Sequence, residues 1–526
     1  MSSKLYLKPN TILEPLLWNW HAWSHLMSPL TASMHIKNRH LRVMKRFIEA
    51  GNKPKVKNQK FEGGPVVQLD GTFVKDVEKL LNKTLDECQD LIALAEGIED
   101  ASLQVLEPAG KTLEPLYDSL QPAIKGLIEL VYNLNFQPGL KFYESLVWQD
   151  YYSTEPQSIA FSQINSDQRP FILGTPVLQT DKNLVVKLPF ASSIIDDIQR
   201  STYVGIDQQL LMEQLQLAPA QLDSLLKFFS TEPIATRNQS YGGDGVRVRY
   251  YGHACLLIES KDTSILIDPL ISYDYPSDIE RFTYSDLPEQ IDYVLITHAH
   301  QDHFSIETLL KIRHRVKHIV VPRNDRGELA DPSLKRILEQ LNFKNVIELE
   351  EMDQIPLPGG EITAIPFIGE HAELDIQTKL VYNVRLHGRS YFAGADLNNF
   401  DGDVYRRAFR SLGDIEVVFI GMECDGGPIH WLYGPLITRD YDKEATRTRT
   451  LSGSDCAKAT ALIEHINAKH AYVYSMGEEP WLNYIMNIDY SPEALQIIES
   501  DRFIQQNQQK GLFSRRLFGK DEWIFS

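Results

Sequence analysis

Cysteine is scarce: four residues in 526, at Cys88, Cys255, Cys424 and Cys456. None forms a Cys-x-x-Cys pair, so the chain offers neither a zinc knuckle nor a disulfide framework, and a reducing compartment is expected. Positive charge is in deficit. With 53 Lys and Arg against 71 Asp and Glu, the formal net charge is −18, which argues against nucleic acid as the main partner because phosphate binding needs a positive field. Long apolar runs are missing too. The opening stretch MSSKLYLKPNTILEPLLWNW is interrupted by Pro9, Glu14, Pro15 and Asn19, so it offers neither a signal-peptide core nor a spanning helix, and no later run approaches membrane length. A soluble cytoplasmic protein without membrane or nucleic-acid partners is the expectation. Hydrophobic content, at 43%, is ordinary, and a chain of this length is expected to form two domains or three.

Residues 1–243 read as one mixed α+β domain. MHIKNRHLRVMKRFIEAG places Ile36, Val43, Met44, Phe47 and Ile48 on one helical face, with Gly51 as its stop. Helical patterns also cover 73–105 and 113–134, extended runs follow in LKFYESLVW and LVVKLPF, and helices are expected near 192–200, 208–216 and 221–229. No metal-ligand spacing, phosphate loop or nucleophile motif appears in this half, so recognition, a lid or dimerisation is its expected role.

NQSYGGDGVRVRYYG, from Asn238, changes from linker composition to alternating strand pattern, which places a boundary near 243. Within 244–526, the runs VRVRYYG, ACLLIES, SILIDP and IDYVLIT are followed by HIVVP, EITAIPF, LVYNVRL, SYFAGAD and IEVVFIGM. Helical segments near 305–313, 402–412 and 454–468 lie between them. Two β layers with helices outside are expected, so the fold class is α/β.

The stretch LITHAHQDHF holds His298, His300, Asp302 and His303 just past a strand. Alternation along such a loop can aim His298 and His300 at one ion and Asp302 and His303 at a second. Two adjacent cations repel unless carboxylates neutralise them, and one aspartate is not enough.

This His-x-His-x-Asp-His element, with ILIDP ending at Pro269 and AGAD ending at Asp396, resembles the metallo-β-lactamase superfamily over about 246–480. The resemblance implies an αββα sandwich in which Asp396 bridges two metals and Asp268 orients a ligand histidine; the alternative for Asp268 is a turn cap before Pro269. Hydrolytic members supply a further histidine where this chain has IGEHAEL, with Glu370 and His371 side by side and only one expected to face the metals. Their final ligand histidine is replaced here by Ser475, Met476 and Gly477. For His465 and His470 a surface or packing role is expected. A glutamate in place of one histidine and the loss of another favour iron over zinc, since carboxylate oxygens suit iron that reaches the ferric state.

Those departures, with THAHQDHF, IGEHAEL, FAGADLNNFDG and GMECDGGP, look like the di-iron β-hydroxylase of chloramphenicol biosynthesis and its relatives, as do the length and the large N-terminal domain. That family hydroxylates an amino acid held as a thioester on a non-ribosomal peptide synthetase carrier domain, in antibiotic biosynthesis. The resemblance implies that His298, His300 and Glu370 hold one iron and Asp302 and His303 the other, with Asp396 and an oxo or hydroxo group bridging. It also implies O₂ as co-substrate, an external electron-donating reductase and a homodimer; because premature O₂ activation would waste reductant and damage side chains, gating by the docked carrier, through a shift of Glu370, is expected. Glu423 is assigned a proton-handling role beside the metals; a further ligand or a water-facing turn carboxylate are its alternatives.

Residues 426–452 form an insertion long enough to be a lid, in which Trp431, Tyr433, Arg447 and Arg449 could line the substrate channel or simply be packed or solvated. The basic stretch Lys37–Lys60 could meet an acidic carrier or its phosphopantetheine phosphate, or be a solvated helix face. The same choice applies to FSRRLFGK. The competing functions are a dizinc hydrolase with His371 as ligand, a metal-stabilised scaffold without activity, and a nuclease.

Overall fold

The computed structural model describes residues 4–51, 67–234, 239–442, 444 and 446–526. From Val246 onward, two seven-stranded sheets face each other. The first runs in the order Val346–Leu349, Val316–Pro322, Ile291–Leu295, Ser264–Ile267, Leu256–Glu259, Val246–Tyr250, Asp521–Phe525. The second runs Gln354–Leu357, Gly360–Pro366, Leu380–Leu386, Arg389–Ala393, Val417–Gly421, His470–Tyr474, Phe513–Arg516. Val248, Leu256, Ile258, Ile265 and Leu295 from the first meet Ile362, Val384, Tyr391 and Phe419 from the second in one buried cluster. Strand side chains alternate between faces, so the opposite faces need covers of their own. Helices Gly402–Arg410 and Cys456–Ile463 and Phe503 of helix Leu495–Gln509 cover the second sheet. This is the expected αββα sandwich.

The N-terminal half covers the other side. It contains a four-stranded sheet, in the order Trp20–His21, Thr11–Leu17, Gln157–Gln163, Leu184–Lys187, and helices that include Val74–Glu87, Gln89–Gln104 and Ile194–Val204. In helix Gln89–Gln104 the buried positions Leu91, Leu94, Ala95, Ile98 and Ala101 follow the three-four spacing of a single apolar stripe. Its core is continuous with the first sheet of the sandwich: Leu13, Leu26 and Ile198 belong to the same buried cluster as Leu257, Leu266 and Leu309.

Two expected segments differ. The helix expected over 113–134 is reduced to Leu116–Ser119, and Ile128–Tyr132 is instead a strand paired with Pro138–Phe142. Pro115 and Pro122 interrupt helical hydrogen bonding, and Gly126 turns the chain at φ 84°. In LKFYESLVW only the first part is strand, and Glu144–Tyr151 is helical. The expected single helix over 34–51 contains a π-helical turn at Ile36–His40. No helix among the described residues is long and apolar enough to cross a membrane.

Candidate metal centre

Parallel strands bring the polar loops together. Ser264–Ile267, Ile291–Leu295 and Val316–Pro322 run parallel in one sheet, and Arg389–Ala393, Val417–Gly421 and His470–Tyr474 in the other. Ligand sites in such sheets form beyond the carboxyl ends of the strands. Here those ends carry Asp268, the stretch from His298 to His303, Asp396, Glu423 and Ser475. Asp268, Glu370, Ala372, Ala395 and Ser475 all have positive φ, a conformation that non-glycine residues keep only where surrounding structure enforces it. Gly421 is required by closeness: a Cβ there would lie 2.6 Å from Ala395 O and 3.0 Å from Asp396 Oδ1.

The predicted residues converge. His298 Nε2 is 3.1 Å from His300 Nδ1, and His300 Nδ1 is 2.9 Å from Glu370 Oε1. His303 Nε2 lies 2.9 Å from Asp396 Oδ2 and 3.5 Å from Asp302 Oδ2. Metal-competent groups therefore form around His298, His300, Glu370 and His371, and around Asp302 and His303, while His298, His303 and Asp396 make a third group between them. Both Glu370 and His371 sit in the cluster, where only one was expected to face it. His371 Nδ1 is 2.7 Å from Glu370 Oε2, yet Glu370 Oε2 and His371 Nε2 are buried without an aligned hydrogen bond. Buried polar atoms in this state call for a partner, and an ion is one that these two atoms could share.

Outer contacts fix the rings. Asp268 Oδ2 lies 2.8 Å from His303 Nδ1, and its carboxylate accepts from the Thr297 amide and hydroxyl. Tyr433 Oη is 3.0 Å from His300 Nε2, and Ser24 of the N-terminal half donates to the Ala299 carbonyl at 2.9 Å.

Burial resists charge on every group, and the neighbours decide the outcome. Burial, with His303 and His300 beside it, pushes His298 well below the usual histidine value. Burial opposes ionisation of His303 and of Glu370, but Asp396, Asp302 and Asp268 raise the former well up, and His300 and His371 hold the latter well down. Glu423 goes the other way: burial and then Asp396, Asp302 and Glu370 lift it well above the carboxylate range, with Tyr490 opposing. Carboxylates crowd where cations would neutralise them, and the same crowding disfavours charge on Glu423.

A cavity opens onto the cluster. Phe171 and Leu173 of the N-terminal half, Trp431 and Leu451 of the insertion, and Ile485 and Met486 line it together with Glu423. None of its described lining residues is Lys or Arg. The insertion closes on itself where Gly427 and Pro428 pair with Leu451 and Thr450. Of the four residues expected to line the channel, Trp431 does, Tyr433 holds His300, Arg449 donates to Ala372 O at 2.9 Å, and Arg447 is exposed beside Glu444.

At the start of the basic stretch two charges turn inward, while Arg42, Lys45 and Arg46 are exposed. Lys37 pairs with Glu99 at 2.6 Å, and buried Arg39 donates to Trp431 O and Leu432 O of the insertion, so both are spent on internal contacts. Residues 52–60 of that stretch lie outside the described residues. In FSRRLFGK, Arg515 pairs with Asp521 and Arg516 with Glu478 and Asp501. His465 is exposed, and His470 packs against Tyr472, Phe513 and Phe525.

A family model described as the diiron non-heme beta-hydroxylase N-terminal domain matches residues 6–233, and a beta-lactamase superfamily domain matches 247–382. A curated Streptomyces venezuelae protein, 4-amino-L-phenylalanyl-[CmlP-peptidyl-carrier-protein] 3-hydroxylase, is 32% identical over 97% of this chain and 98% of its own length. The chain belongs to the di-iron β-hydroxylase family. The crystal structure of CmlA, a diiron beta-hydroxylase from the same organism, superposes on this β-hydroxylase with a TM-score of 0.91 at 30% identity, covering 100% of both chains. The enzyme therefore has a di-iron cofactor, and a donor set that mixes histidine nitrogens with the carboxylates of Glu370, Asp302 and Asp396 suits iron. Membership in this family decides against the hydrolase, the inactive scaffold and the nuclease.

One buried histidine escaped the sequence reading. His253, in the turn between Val246–Tyr250 and Leu256–Glu259, lies with Nε2 3.1 Å from Asp302 Oδ2. A lone histidine in a hairpin turn has no ligand spacing to announce it, so only the fold reveals its position.

Proposed function

We propose that this β-hydroxylase inserts oxygen at the β carbon of an amino acid held as a thioester on a carrier protein or peptide-synthetase carrier domain. Glu370 at the open corner of the His298–His300 pair, 2.9 Å from His300 Nδ1, carries the proposal. His298, His300 and Glu370 would hold one iron, Asp302 and His303 the other, and Asp396 would bridge. The reading divides the chain near residue 243, with recognition and dimerisation N-terminal and chemistry in 244–526, in the cytoplasm.

When bound, the iron pair supplies oxidising power from O₂ and two electrons from an external reductase. The rest is done by side chains. No Lys or Arg stands among the described lining residues to pair with a free carboxylate away from the metals. A thioester has no such charge. Phe171, Leu173, Trp431 and Ile485 exclude water and hold the acyl chain in place over the cluster. Placing one oxygen in a C–H bond and releasing the other as water consumes two protons, and Glu423, which lines the cavity, is placed to deliver one when protonated.

Metal analysis and optical spectra, recorded before and after dithionite and O₂, test this together with mass spectrometry of aminoacyl-loaded carrier. Two irons per chain and an acyl group heavier by one oxygen are expected. Two zincs, or thioester cleavage indifferent to O₂, would refute it.

A further inference from the structure

Three arginines are buried among the described residues, and they are not treated alike. Arg249 has Glu259 at 3.0 Å and Arg313 has Asp196 at 2.9 Å. Arg39, only 4% exposed, has neutral carbonyls alone: Nη2 donates to Trp431 O at 2.6 Å and Leu432 O at 3.3 Å, and Nη1 is buried without a partner. Burial pulls its guanidinium down to about 10, with no carboxylate among the described residues opposing. A buried charge without a counter-charge is costly.

Unpartnered nitrogens gather around it. His35 precedes Arg39 by four positions and His40 by five, across the π-helical turn Ile36–His40. An α-helix would swing the fifth position away, whereas i→i+5 bonding keeps both Arg39 and His40 beside His35. Neither ring nitrogen of His35 has a partner, nor has Nδ1 of His40 or of His25, whose ring lies 5.5 Å from that of His35. Trp20 stacks on His40 at 4.0 Å, and its Nε1, which can only donate, is unpartnered too. All of these side chains are buried. Burial, and then the charge of Arg39 close by, push His35 and His40 well below the usual histidine value, so both rings are neutral and each has one N–H to give.

We propose that one monovalent anion, of the charge and size of chloride, binds beside Arg39 among these donors. One guanidinium balances one negative charge. Phosphate or sulfate would bring a second charge and more hydration into a place walled by Trp20 and Trp23, where nothing repays their desolvation. The ion does for Arg39 what Glu259 and Asp196 do for Arg249 and Arg313. It also steadies the one side chain that ties Trp431 and Leu432 of the insertion to the N-terminal half, and the assignment holds whatever metal the centre carries.

Thermal unfolding of the iron-loaded full-length protein, with chloride replacing gluconate at constant ionic strength, reads the site, because a ligand of the folded state raises Tm by mass action. Wild type should show a saturable rise, reproduced by bromide, while sulfate gives no saturable phase. Arg39→Met should lose that rise, and Trp20→Phe should move its midpoint to higher chloride. Crystals grown in bromide should show an anomalous peak within hydrogen-bond reach of Arg39 Nη1. A wild-type Tm indifferent to chloride, a response that saturates equally with sulfate, an Arg39→Met protein that keeps the rise, or a bromide map without that peak overturns the site. A peak without a saturable response in solution is binding at crystal concentration only and overturns it equally. If Arg39→Met does not fold, the wild-type titration and the bromide map still decide.

Discussion

At the scale of single residues, the centre depends on groups that touch the ligands from behind. Tyr433 holds His300 by its far nitrogen at 3.0 Å, and Asp268 does the same for His303 at 2.8 Å. Such partners set tautomer and ring orientation, and their loss costs about 10–100-fold in metal affinity. Tyr433→Phe removes only a hydroxyl, leaving His300 Nε2 without that partner. We expect its iron affinity, read by chelator competition, to fall by that factor while the fold survives; an unchanged affinity would place Tyr433 outside the centre's support. Asp268 could be read in the sequence because it sits in a short run with a fixed place in the fold. Tyr433 could be placed only as one of four residues in the insertion, since nothing in GGPIHWLYGPL says which ring reaches a histidine 133 positions away.

Among elements, helix Ile306–Ile312 follows the ligand loop directly and is buried along its whole length. Its Lys311 donates to Gln199 at 3.2 Å and lies over the rings of Tyr273 and Tyr284. Burial lowers the Lys311 amine to about 7, with Glu307 opposing and Arg315 reinforcing. A base whose folded value is depressed binds its proton more readily when unfolded, so stability rises with pH between about 7 and the model-peptide value, by about 1.4 kcal/mol per unit. Lys311→Met should raise the denaturant midpoint at pH 7 and flatten that rise; a variant that keeps the wild-type slope would assign the titration to another group. Periodicity marked this helix in the sequence, and also Gly402–Arg410 and Cys456–Ile463. It misled over 113–134, where the apolar spacing suits a helix but Pro115, Pro122 and Gly126 break it, and the β-branched run beyond them pairs as a hairpin.

For the whole molecule, the two halves are joined by buried charge. Arg169 forms a fork to Glu307 at 2.9 and 3.0 Å, lies 3.6 Å from Glu14, and stacks 3.9 Å over Tyr484. Glu14 and Arg169 come from the N-terminal half, Glu307 and Tyr484 from the catalytic half. Removing one member strands a buried carboxylate, which costs about 3–5 kcal/mol. Arg169→Met should therefore lower the urea midpoint of the first unfolding transition, and a midpoint equal to wild type would show that the pairing adds nothing. The sandwich was legible because the ligand motif and turn-bounded strands fix its layers. The joint was not, since Arg169 and Glu307 are 138 positions apart and each reads as an ordinary surface charge.

Arg39 fastens the insertion from across that joint, and Phe171 and Leu173 furnish a wall the sandwich does not build for itself. The catalytic half is thus no portable module: grafted alone onto another scaffold, it would keep its donors but forfeit a closed chamber, and recombination between relatives has to exchange both halves together.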